Sequence, residues 1–212
     1  MEREHSTLTR RSVLFGVPSL YLVLGILHPM SNPRVGDDTE LFIWLHLAQL
    51  VLIGGVGWMF WLLVEGLDSR AATVTRALIL PFVIWYTALD AVLGVAWGIA
   101  AREATELPAA DHAAMGRLLG ALLDEPEPSG YILYFGAGLV WLALALSAVA
   151  AVANRAPRPA LALMAVGATV FGMGHAKPMG PIGMALFLAG VVWLELRPRR
   201  EAAGEATSLQ GA

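Results

Sequence analysis

Leu41-Phe42-Ile43-Trp44-Leu45-His46-Leu47-Ala48-Gln49 opens an apolar run that continues to Val64. It places a histidine and a glutamine one helical turn apart where almost every neighbour is hydrocarbon. Just upstream, a second apolar run ends in His28-Pro29. A helical hairpin built from the two runs brings both histidines to the same end. The run carries no charge from Leu41 to Val64, which makes it a membrane-spanning segment before it is anything else.

Composition agrees. The chain of 212 residues is 57% hydrophobic and only 15% charged, with a mean hydropathy of +0.64. Soluble domains carry about 25% charged residues. The net charge of −3 is spread over the loops and forms no basic patch, so nucleic acid is excluded as a partner. Cysteine is absent, which removes disulfides, thiolate metal sites and cysteine nucleophiles. Lys177 is the only lysine among the 14 basic residues, a bias that hints at a GC-rich bacterial genome. The expected location is the bacterial cytoplasmic membrane, with the lipid bilayer as the main partner and a homo-oligomer or a membrane partner protein as further ones.

Six spans are expected, at about residues 12–30, 41–64, 77–101, 131–153, 159–174 and 181–196. The first is roughly 27 Å long at 1.5 Å per residue, close to the ~30 Å hydrocarbon core. Arg10-Arg11 holds the start of that span, and no small-x-small cleavage site follows as a signal peptide requires. Between spans three and four, Met115, Leu118, Leu119, Leu122 and Leu123 recur at helical spacing, predicting an amphipathic helix on the membrane surface. Glu125-Pro126-Glu127-Pro128 stops it. The last two spans are short, so a pair of thin spans or a re-entrant hairpin fits them. Residues 198–212 read as a disordered tail.

Orientation follows from the basic residues. With the N-terminus inside, Arg3, Arg10, Arg11, Arg70, Arg76, Arg155, Arg158, Arg197, Arg199 and Arg200 face the cytoplasm, against Arg34, Arg102, Arg117 and Lys177 outside. The predicted fold is therefore an all-α, integral membrane six-helix bundle, both termini cytoplasmic, with the amphipathic helix on the outer face. Glu65 and Glu195 end helices on the cytoplasmic side and are expected simply to face water.

This orientation gathers His28, His46, His175 and His112 at one membrane face. Neutral imidazole is a ligand for zinc, copper and haem iron, so these residues are candidates for a metal or haem site. Interfacial histidines also cap helices or bond to backbone, and no tight metal motif is present, so the structural reading stands beside the ligand one. Asp90 is the second candidate. A carboxylate near the bilayer centre costs a few kcal/mol unless paired, hydrated or protonated. Tyr86, Asp90, Gly94 and Trp97 share a helical stripe, so Tyr86 can reach the carboxyl, and Gln49 can approach it from the second span. A polar track from His28 and His46 down to Asp90 is expected. Three functions remain open: a redox or metal- or haem-binding protein, a small proton-linked transporter centred on Asp90, and an accessory subunit without chemistry.

With Leu27-His28-Pro29 closing the first span and Trp44-Leu45-His46-Leu47 opening the second, the chain resembles a diffuse set of uncharacterised bacterial multi-pass membrane proteins. Asp90 ahead of Gly94 and Gly98 in the third span fits the same pattern. The resemblance covers mainly residues 20 to 100 and implies a six-helix body without an assigned activity. A weaker likeness is to copper-resistance membrane proteins, in which a His-Leu start precedes an apolar, glycine-rich helix, as in His46 to Gly57. The methionine–histidine clusters of copper handling are missing here.

Overall fold

The computed structural model describes residues 2–124 and 130–197. The Pro126–Pro128 stop and the tail from 198 lie outside the described residues. Every regular element among the described residues is helical.

Helix α1 (Glu2–Leu27) starts well before the expected Ser12 and ends before the expected Met30. Its end is set by His28-Pro29, because a residue preceding proline is disfavoured in the α region and proline has no N–H to continue the ladder. Its polar early turns remain helical, with Arg10 bonded to the Leu62 carbonyl and to Glu195. Helix α2 (Glu40–Leu63) matches the expected second span. The chain reverses through Gly66, whose φ of 66° is left-handed and favours glycine.

Helix α3 (Arg70–Leu89) begins about two turns before the expected residue 77, because the Ser69 hydroxyl accepts the Ala72 N–H at 3.2 Å and caps it. It runs on through a π-helical segment, Asp90–Ala96, into α4 (Trp97–Thr105). Together these form one continuous span from Arg70 to Thr105. Next come α5 (Ala109–Asp124), α6 (Gly130–Val152), α7 (Arg158–Met173) and α8 (Met179–Leu196). Of the expected amphipathic leucines, Leu119 is buried while Leu118 and Leu122 stay exposed. Helix α5 packs on α4 and α6.

Among the described residues, five helical stretches are long and apolar enough to cross a membrane, and α7 is a shorter apolar helix. Their outward surfaces are hydrocarbon as well: Leu20, Val51, Leu80, Leu139 and Val166 are exposed, Val51 by 80%. In water such a belt invites aggregation, and in lipid it is solvated. These features suggest a multi-pass membrane protein.

Helices α7 and α8 make the closest pair. A Cβ on Gly167 or Gly183 would collide with the partner's backbone, so the small residues set the approach. Helix α8 also lies along α1, with Glu195 beside Arg10 at one end and His175 beside His28 at the other. It therefore runs the length of the bundle instead of turning back within it. Mid-bundle, Trp141 stacks near Phe60, Phe82, Phe171 and Phe187 and donates its indole N–H to the Ala168 carbonyl at 2.9 Å. This aromatic layer separates a histidine end from an arginine end.

At the arginine end Glu195 does more than face water. It holds Arg10 at 2.7 Å with only 15% of its side chain exposed, and Glu65 lies 3.7 Å from the same guanidinium. The expectation fails for Glu195 because α1 packs directly on α8 and brings Arg10 to it. Arg76 donates to the Val64 and Leu67 carbonyls in the turn after α2.

Candidate metal centre

Three elements deliver the site. His28 follows α1, His46 lies in the second turn of α2, and His175 sits in the turn between α7 and α8. His28 and His46 are 4% and 3% exposed, and His175 is half-buried. One ring nitrogen from each of the three falls within 4.8 Å of the others.

The hydrogen bonds fix which nitrogen carries the proton. His28 Nδ1 lies 2.7 Å from the Pro29 carbonyl, and His46 Nδ1 lies 2.8 Å from the Phe42 carbonyl. A carbonyl only accepts, so each Nδ1 is the N–H and each neutral ring leaves Nε2 bare. The two Nε2 atoms then face each other at 3.3 Å. Two lone pairs meeting in a buried place repel unless something electrophilic sits between them. Neither ring nitrogen of His175 is hydrogen-bonded among the described residues, and its ring centroid is 5.7 Å from that of His28. Burial lowers the His28 pKa against the opposing Pro29 bond, and burial with the neighbouring imidazoles takes His175 down to about 3. Both are thus neutral at physiological pH, the protonation state of a metal ligand.

Glycines make room for this. A Cβ at Gly94 would overlap the His46 ring, and one at Gly180 would overlap the backbone of His175. Gly94 belongs to the π-helical segment, whose wider turn recurs at functional sites. Asn32 donates to the Leu93 carbonyl of that segment at 3.5 Å, and the Trp97 indole donates to Pro33 at 2.9 Å. The loop between α1 and α2 is thereby tied to the helix that carries Asp90.

The three histidines open onto a cavity of about 110 Å³ that is also lined by Asn32, Asp90, Gly94 and Tyr134. Asp90 is 3% exposed, and among the described residues no hydrogen bond reaches its carboxyl. Tyr86, one turn away on the same helix, is buried without bonding it. Gln49 is buried too, and its Oε1 has no partner among the described residues. The cavity therefore joins the histidines to Asp90, while Gln49 and Tyr86 are not part of its wall. The space beside Tyr21 and Tyr86 is too small for a water molecule.

His112 stands apart. Its Nε2 donates to the Leu107 carbonyl at 2.9 Å, and it lines a different cavity, of about 590 Å³, between the 31–35 loop and α5. Sequence reasoning brings out His28, His46, His175 and Asp90. It passes over Asn32, which gives no signal in its loop, and Tyr134.

Comparison with protein-family models, with curated proteins and with solved structures returns no match. The functional reading is carried by the geometry of the site alone.

Proposed function

We propose that this protein is a multi-pass protein of the bacterial cytoplasmic membrane that binds one transition-metal ion, zinc foremost, through His28, His46 and His175. The single observation that carries this reading is the pair of bare Nε2 atoms 3.3 Å apart, each backed by an Nδ1–H bond to a carbonyl. Histidines that ligate metals ordinarily donate their other N–H in this way, which fixes the ring and its tautomer. At Zn–N bonds of about 2.0–2.1 Å, two ligands of a tetrahedron are about 3.3–3.4 Å apart, while a right-angle geometry would bring them to about 2.9 Å.

Haem suits the site poorly. Two axial ligands must approach iron from opposite faces of a porphyrin, and these nitrogens meet directly in a cavity of about 110 Å³. The aromatic layer beneath Asp90 favours a dead-end site over a proton or ion pathway. By the distribution of basic residues, the arginine end faces the cytoplasm and the histidines open to the outer side.

Competition between the purified protein and a chromophoric zinc chelator tests this. The expected result is one zinc per chain, lost in the His28→Ala, His46→Ala double variant. Wild-type protein that takes no zinc, Cu(II) or Fe(II) overturns it.

A further inference from the structure

We propose that the site is hydrolytic, with Asp90 as the proton acceptor for water at the fourth metal position and an ester-bearing amphiphile as substrate. This rests on metal binding at the three histidines. Three observations carry the step from binding to reaction.

The histidines supply three ligands to an ion that takes four, and they line the shared cavity, which has room for several water molecules. An imidazole trio with an open position activates water, whereas a closed four-ligand set is structural. The second observation is Asp90. It is buried, lines that same cavity and has no protein hydrogen bond among the described residues. A buried carboxylate without a partner is costly and contributes nothing to packing that leucine would not do better. It stands at the start of the π-helical segment, four residues before the Gly94 notch under His46.

The third observation is the larger cavity of about 590 Å³. It shares Ser31 and Asn32 with the histidine cavity, so the two are neighbours across one short stretch of loop. Pro33, Val35, Trp97 and Leu119 give it an apolar wall, and Arg34 and His112 stand at it as polar groups. Its roof, α5, carries the exposed Leu118 and Leu122. Such a chamber takes an apolar chain with a polar head, delivered from the membrane surface.

In the reaction Asp90 takes one proton from water as the water oxygen bonds to the ester carbonyl carbon and the carbonyl π electrons move to its oxygen. The C=O bond then re-forms, the C–O bond to the alcohol breaks, and Asp90 returns its proton to the departing alkoxide. One water and one ester give one acid and one alcohol, with no redox change.

The test uses zinc-loaded full-length protein in detergent micelles, with 4-nitrophenyl laurate and 4-nitrophenyl butyrate as probes. Wild type should exceed the His46→Ala variant by at least 100-fold in kcat/KM on the laurate. Asp90→Asn should keep one zinc per chain and its melting temperature while kcat falls by about 10²–10⁴-fold, the usual contribution of a general base. Asp90→Glu should recover part of it. Gly116 lines the larger cavity with nothing within 4 Å of where a Cβ would stand, and Gly116→Leu should lower the laurate-to-butyrate ratio of kcat/KM about tenfold. Zinc-loaded wild type no faster than His46→Ala overturns the hydrolytic assignment and leaves metal binding standing. Wild type that takes no zinc overturns the hydrolytic assignment, and wild type that takes no Cu(II) or Fe(II) either removes metal binding with it. Asp90→Asn that stays active, or loses its zinc, overturns the role of Asp90, and an unmoved probe ratio overturns the route through the larger cavity.

Discussion

The two ends of this bundle treat polar groups in opposite ways. At the arginine end, charges are matched: Arg10 meets Glu195, Glu65 and the Leu62 carbonyl, and Arg76 satisfies the carbonyls of Val64 and Leu67. At the histidine end, polar atoms are oriented and then left with no protein partner among the described residues. Two Nε2 lone pairs face each other, neither nitrogen of His175 is bonded within that set, and the Asp90 carboxyl opens onto a cavity. The first arrangement is what stability asks of buried polar groups. The second is destabilising unless a ligand completes it, which is why the histidine end is read as functional and the arginine end as structural.

Substitutions can break that contrast, and the largest effect belongs to the ligands. His46→Ala should weaken zinc binding by more than the roughly 100-fold that marks the upper end for losing an outer-shell partner. His28→Ala should do the same, while His112→Ala, whose ring is bonded to Leu107 at the other cavity, should leave zinc affinity unchanged. Chelator competition reads all three. Equal losses at His112 and His46 would dissolve the distinction between the cavities.

Gly94→Ala comes next. Its Cβ would overlap the His46 ring, so the ring must turn and part from its Phe42 anchor. Zinc affinity should fall about 10- to 100-fold, the size of an outer-shell loss. The same titration checks it, and an unchanged affinity would mean that His46 is not held by the π-helical segment.

Arg10→Met probes the opposite end. It leaves Glu195, mostly covered, without its cation, and should lower stability by about 1–3 kcal/mol, the usual cost of a buried group left unsatisfied. Thermal unfolding in detergent measures this, and zinc affinity should stay as in wild type. The smallest effect is expected from Trp97→Phe, which removes one indole bond to Pro33. The loss should be about 0.5–1.5 kcal/mol.

Most of the architecture is legible in the sequence because hydrophobic length reports directly on spans. The second span and the two short final helices appear nearly where the apolar runs place them. What composition cannot show is which residues meet. Ser69 and Arg76 extend the third span into polar sequence through local bonds that hydropathy ignores, and His28-Pro29 shortens the first for a backbone reason. The π-helical turn at Asp90 leaves no mark in the 3.6-residue stripe of Tyr86, Asp90, Gly94 and Trp97, since all four are buried either way. The meeting of His28 with His46 is legible from the short hairpin. The meeting with His175 depends on α8 lying along α1, a contact with no local signal. Glu195 is misjudged for the same reason.

X-ray absorption at the zinc edge of the loaded, purified protein tests the central claim most directly. Scattering from three imidazoles at about 2.0–2.1 Å with one further oxygen ligand is the expected spectrum, losing one imidazole in His175→Ala. A zinc spectrum without imidazole scattering, or one identical in His175→Ala and wild type, would contradict the assignment of the histidine end as a metal centre.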